Sequence, residues 1–219
     1  DWSALADGLY AGSAGLRVAL PRQCFDSGVA PAVRRRTLDA AAALEGCGAQ
    51  VDEVSLPALD DALPAYYVMS SAEASSNLAR FDGVRYGFRA EGCRTVEELY
   101  EKSRSQGFGP EVKRRILLGS FVLSAGYQDA YYKKALRARD AVRAAFDGVF
   151  SRFDLVLTPT APRTAWKLGE KRADPTEVYL EDVFTVPVNL AGLPAVSLPC
   201  GQDESGLPIG AQLIAPHLG

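Results

Sequence analysis

Histidine is almost missing from this chain. Among 219 residues there is one, His217, close to the end of the sequence. A Ser-His-Asp triad needs an imidazole beside its nucleophile, so that chemistry is not expected here. Cysteine is also sparse. Cys24, Cys47, Cys93 and Cys200 lie far apart with no Cys-x-x-Cys among them, and with a single histidine they do not read as a zinc site. The expectation is buried free thiols in a reducing compartment. No apolar run reaches the roughly 20 residues of a membrane helix, and the opening residues do not read as a secretory signal, so the expected location is cytoplasmic. Charge of one sign is lacking too. Lys and Arg number 24 against 27 Asp and Glu, a formal net charge of −3, so any RNA contact would be local or would belong to a partner. There is no Gly-x-Ser-x-Gly, no Ser-x-x-Lys and no Walker loop.

What remains is a chain with 47% hydrophobic and 23% charged residues, an ordinary globular balance with enough length for a sizeable core. It opens at Asp1 without a methionine and stops at Gly219 just after an expected strand. The expectation is a piece of a longer protein, with a processed product as the alternative.

Leu16 to Pro21 reads as a short strand, Pro31 to Leu44 as an Ala-rich helix stopped by Gly46 and Gly48, and Gln50 to Leu56 as a second strand. Strand, helix, strand at this spacing predicts a parallel βαβ unit. The middle reads as helical. Leu59 to Leu78 is apolar to small, and its Ser70, Ser71, Ser75 and Ser76 suit close helix packing better than catalysis. Thr95 with Glu98 forms a capping box, and Gly109-Pro110-Glu111 opens another helix. Ile116 to Ala125 is apolar or small nearly all round, which predicts a buried helix. Asp129 to Phe150 is amphipathic, its basic residues reading as a solvated face or a subunit contact. Strands are expected at Asp154 to Pro159, Ala195 to Pro199 and Ile209 to Ile214. The mixture predicts an α/β fold, its sheet part of a larger one.

Three residues are candidates for binding. Arg115 is the last charge before the apolar stretch from Ile116, and a guanidinium there needs a carboxylate partner, either an internal acid or the α-carboxylate of a ligand. Asp182 is the last charge before Val183 to Pro199, which carries none; it could hold an α-ammonium, cap a helix or sit on the surface. Tyr66 could supply an apolar wall and a hydroxyl, or be a core tyrosine. Arg115 and Asp182 together offer the charges that suit an amino-acid zwitterion.

The most distinctive segment runs from Pro187-Val188-Asn189-Leu190-Ala191-Gly192-Leu193-Pro194-Ala195-Val196-Ser197-Leu198-Pro199-Cys200-Gly201 through Gly206-Leu207-Pro208-Ile209-Gly210-Ala211-Gln212-Leu213-Ile214. Two Gly-Leu-Pro turns alternate with strands in a way that general strand physics does not demand. This run resembles the amidase signature enzymes. Phe81 to Gly87, Glu111 to Ile116 and Tyr127 to Lys134 resemble, within that family, the A subunits of glutamyl-tRNA(Gln) amidotransferases. The resemblance covers nearly the whole chain and implies the C-terminal part of a single mixed-sheet amidase signature domain with helices covering the sheet. It implies glutamine hydrolysis, with ammonia passed to a B subunit that uses ATP and magnesium to convert Glu-tRNA(Gln) to Gln-tRNA(Gln), and a small C subunit completing the complex. The family's catalytic Ser-Ser-Lys set lies in a Gly- and Ser-rich segment that this sequence does not contain, so no catalytic residue, cofactor or metal ligand is carried over and the chain alone is expected to be inert. The family's glutamine-recognition residues resemble Arg115 for the α-carboxylate, Asp182 for the α-ammonium and Tyr66 for the pocket. Another amide substrate within the same family, or a non-catalytic subunit-interaction module, are the alternatives.

Overall fold

A computed structural model describes residues 12–26, 28–170 and 178–217. The chain divides into two units. One comprises Asp1–Leu63 with Arg139–Gly219, and the other Pro64–Ala138.

The first unit is built on a five-stranded sheet, ordered β2-β1-β3-β5-β4, formed by β1 (Arg17–Pro21), β2 (Gln50–Val54), β3 (Leu155–Pro159), β4 (Ala195–Gln202) and β5 (Pro208–Ile214). The predicted βαβ unit is present. β1 and β2 are parallel, with Arg17 opposite Gln50, and α1 (Pro31–Gly46) connects them. β3 is also parallel to β1, whereas β5 runs antiparallel to both β3 and β4. Helix α1 lies on one face of the sheet. Its Ala41 packs in a core with Val18, Leu157 and Ala211, and its Val33 packs against Ile209. Burial of such side chains, each contributing about 1.5–3 kcal/mol, is the main force holding the helix to the sheet.

The Gly-Leu-Pro turn between β4 and β5 is held by one carboxylate. Asp203 Oδ1 accepts the backbone N–H groups of Ser205 (2.8 Å) and Leu207 (2.9 Å), and Oδ2 accepts Thr164 Oγ1 (2.8 Å). These bonds, that from Leu207 foremost, hold the Asp203 carboxyl below its ordinary pKa. At the other end of the sheet Asp154 takes a fork from Arg17, with NH2 to Oδ1 at 2.8 Å and Nε to Oδ2 at 3.2 Å.

The second unit is helical. It contains most of α2 (Ala62–Leu78), α3 (Val96–Gly107), α4 (Pro110–Leu123), a π-turn at Gln128–Tyr132 and the start of α5 (Lys133–Phe150). Thr95 caps α3 as expected, its hydroxyl accepting Glu98 N at 3.1 Å. The Glu98 carboxylate reaches one residue further back than in the usual box, to Arg94 N at 2.9 Å. Small residues set the crossing of α2 and α4. A Cβ on Gly119 would collide with the carbonyl oxygen of Ser71 and stand 2.6 Å from Ser75 Cβ, so only glycine fits there. Ser75 and Ser120 hydroxyls meet across the same seam at 3.0 Å.

Two expectations need correction. Helix α4 is not buried: Leu117 is 72% exposed, Phe121 46% and Leu118 42%, and Gly119 and Val122 are its buried residues. Apolar character says that a side chain gains by being covered, not that this chain covers it. The cysteines are free, but of the four only Cys24 is buried, and Cys47 at the end of α1 is exposed.

Candidate substrate-recognition site

In the helical unit the packing of α2 on α4 brings Tyr66, Tyr67, Glu111 and Arg115 together. Arg115 stands one turn before Gly119 on α4, so the close approach at Gly119 carries it against the first turns of α2. Its Nε donates to Glu111 Oε1 at 3.1 Å, a within-helix pair four residues apart. Its guanidinium lies 5.9 Å from the Tyr67 ring centroid, in cation–π range. The Tyr66 side chain is near enough to favour the charged guanidinium as well. Tyr66 and Tyr67 themselves pack edge to face at 5.1 Å. Burial pulls the Arg115 pKa down, but the hydrogen bond to Glu111 and the nearby Tyr66 side chain outweigh it and the net shift is upward. The group is a permanent cation with its Nε side occupied, and it remains one-third exposed. A planar guanidinium fixed on one edge presents its other N–H groups as a fork for a second carboxylate.

Asp182 lies in the sheet unit, at the end of a 3₁₀ turn (Leu180–Asp182) that leads into α6 (Val186–Ala191). Its side chain is exposed. Its backbone is held closely. The Asp182 carbonyl accepts both Thr185 N (3.1 Å) and Thr185 Oγ1 (3.2 Å), and Thr185 O in turn accepts Asn189 Nδ2 at 2.9 Å. Its neighbour Glu181 pairs with Arg163 at 3.1 Å. Two residues beyond, the Phe184 ring packs with Cys24 and Phe25. Among the described residues no ion pair to the Asp182 carboxylate occurs.

Tyr66 and Arg115 are therefore brought together within one unit, and Asp182 is placed on an anchored turn of the other. Sequence reasoning missed Glu111 and Tyr67, although the Glu-x-x-x-Arg spacing and the Tyr-Tyr pair were legible signals. It also missed Gln212, a buried polar side chain at a sheet-internal position. Among the described residues no group of three or more His, Cys, Asp and Glu is placed to hold a metal ion, and no helix is long and apolar enough to cross a membrane.

The family model described as Amidase matches residues 3–219. The A subunit of glutamyl-tRNA(Gln) amidotransferase from Brevibacillus brevis is 56% identical over 200 residues, covering 91% of this chain and 41% of that protein. The glutamyl-tRNA(Gln) amidotransferase A subunit numbered 2 from Clostridium acetobutylicum is 49% identical over 213 residues, covering 97% and 45%. The crystal structure of the A subunit from Thermotoga maritima superimposes with a TM-score of 0.71 at 37% identity, covering 96% of this chain and 40% of that one. A bacterial aryl acylamidase of the amidase signature family gives the same TM-score at 21% identity, a likeness of fold. The chain thus spans about 40% of the length of the relatives it matches. The mixed sheet with its covering helices and the family match agree, and the chain belongs to the amidase family, the amidase signature enzymes.

Proposed function

We propose that this chain is the glutamine-recognising, C-terminal part of the amidase subunit of a glutamyl-tRNA(Gln) amidotransferase. Arg115 binds the α-carboxylate of glutamine with the N–H groups that Glu111 leaves open. Tyr66 walls the pocket and orients the guanidinium. Asp182 binds the α-ammonium. With both charges of the amino acid clamped, the side-chain amide is held at a fixed reach from a Ser-Ser-Lys catalytic set supplied by a part of the subunit outside this sequence. Ammonia released there passes to the B subunit, which uses ATP and magnesium to amidate Glu-tRNA(Gln), with a C subunit completing a cytoplasmic complex. The observation that supports this most is the half-buried, pre-oriented Arg115, in a chain 56% identical to a protein of that name.

The test is Arg115→Ala in the complete enzyme, assembled with its partners. A charged hydrogen bond contributes about 1.5–3 kcal/mol, so kcat/KM for glutamine should fall about tenfold to over a hundredfold. Amidation driven by free ammonia should be unchanged. An equal loss with both nitrogen donors would remove Arg115 from substrate recognition.

A further inference from the structure

The sheet face opposite α1 carries a row of polar side chains where an apolar row would be ordinary. Thr158 on β3, Gln212 on β5 and Ser197 on β4 stand directly opposite one another in register. Two residues along, Gly210 takes the place of a side chain: a Cβ there would meet Ser197 Oγ at 2.8 Å and Thr160 Oγ1 at 2.9 Å, and its lack lets those hydroxyls join above β5 at 2.6 Å. Gln212 is buried, 5% exposed. Its Nε2 donates to Thr158 Oγ1 (3.0 Å) and to the backbone carbonyl of Phe184 (3.1 Å). The Thr158 hydroxyl, having accepted that bond, donates its own proton to Pro159 O at 3.0 Å. Donation runs outward from the Gln212 amide along two branches, one through Thr158 to Pro159 O and the other to the Phe184 carbonyl, a main-chain atom two residues beyond Asp182. Both N–H groups of the Gln212 amide are used, one on the sheet and one on the loop.

We infer that Gln212 is a positioning residue for Asp182: its amide pins the Phe184 carbonyl to the sheet and so fixes the turn from which the Asp182 carboxylate projects. The inference rests on Asp182 holding the α-ammonium of glutamine. An exposed carboxylate on a loose turn samples many positions, and ordering it when ligand arrives costs conformational entropy. The buried amide supplies that order beforehand. A carboxylate at position 212 would face the Phe184 carbonyl with an acceptor, and an aliphatic side chain would leave that carbonyl buried without its donor.

The test is a double-mutant cycle in the complete subunit with its partners, using Gln212→Met, which keeps volume and removes the donor, and Asp182→Asn. Gln212→Met should raise the glutamine KM by about three- to tenfold with kcat and ammonia-driven amidation held. In the Asp182→Asn background the same change should do almost nothing, because the group it positions has lost its charge. If Gln212→Met does not yield folded protein, Thr158→Val, which removes only the sheet side of the fork, should show a smaller KM rise that Asp182→Asn likewise abolishes. Equal KM increases in both backgrounds, or a loss of thermal stability with KM unchanged, would overturn the positioning role. Asp182→Asn leaving the glutamine KM unchanged would overturn the α-ammonium reading itself, and that outcome is visible in the single variant alone.

Discussion

Replacing Gly119 with alanine tests the packing that brings Arg115 to Tyr66 and Tyr67. Two terms oppose each other. Glycine within a helix costs about 0.5–1 kcal/mol relative to alanine, so an uncrowded site would gain that much. At Gly119 the new methyl would strike the Ser71 carbonyl and lie 2.6 Å from Ser75 Cβ. The obstacle is the backbone of a second helix, which cannot rotate away, and overpacking typically costs about 1–3 kcal/mol. Backbone obstruction places this site at the upper end, so the net loss is about 2–2.5 kcal/mol. For a chain of this length that is about 4–10 °C in melting temperature. Gly148 in α5 has nothing within 4 Å of a built Cβ and serves as the control; Gly148→Ala should leave stability the same or raise it. Differential scanning calorimetry on both variants gives the comparison. Because Arg115 lies one turn away on the same helix, Gly119→Ala should also raise the glutamine KM. A Gly119→Ala protein as stable as the parent, with unchanged KM, would refute the idea that close approach of α2 and α4 builds the site.

Other consequences follow from single contacts. Glu111→Gln removes the charge that holds Arg115 Nε; glutamine KM should rise several-fold in steady-state assays, and a KM that stays put would make Glu111 incidental. Asp154 has its pKa lowered, first by the Arg17 side-chain hydrogen bond and then by the Arg17 backbone N–H. Its stabilising contribution is therefore present above the ordinary carboxylate value of 3.8 and is lost as pH falls through the depressed folded value. The melting-temperature gap between the parent and Asp154→Asn should close as pH drops from about 5 to about 2; a gap independent of pH would contradict the assignment. Burial pushes the Cys24 thiol up to about 12, whereas Cys47 is exposed. Mass spectrometry after brief alkylation at neutral pH should find Cys47 modified and Cys24 intact until denaturant is added.

How much was legible in the sequence varied with the kind of force involved. The parallel β1-α1-β2 unit was readable because alternation and helical periodicity are local. The start of α3 was readable because its side-chain-to-backbone cap spans three residues, and the start of α4 because Pro110 stands in its first turn. The order in which β3, β5 and β4 join was not readable, since strand pairing is decided by packing between distant segments. The exposure of α4 was misread because its apolar surface is a property of the helix alone, while burial depends on what lies against it. At the site, charge contrast drew attention to Arg115 and Asp182. Gln212 was hidden in a strand-like run because an uncharged amide looks ordinary until its two partners, Thr158 and Phe184, are brought to it from 54 and 28 residues away.

The most direct test of substrate recognition uses glutamine and two truncated analogues: glutaramate, which lacks the α-ammonium, and γ-aminobutyramide, which lacks the α-carboxylate. Their hydrolysis is measured on the complete parent enzyme and on its Arg115→Ala and Asp182→Asn variants. Arg115→Ala is expected to lose its discrimination against γ-aminobutyramide alone, and Asp182→Asn its discrimination against glutaramate alone. Variants that slow all three substrates by the same factor would contradict the claim that these two side chains grip opposite charges of one amino acid.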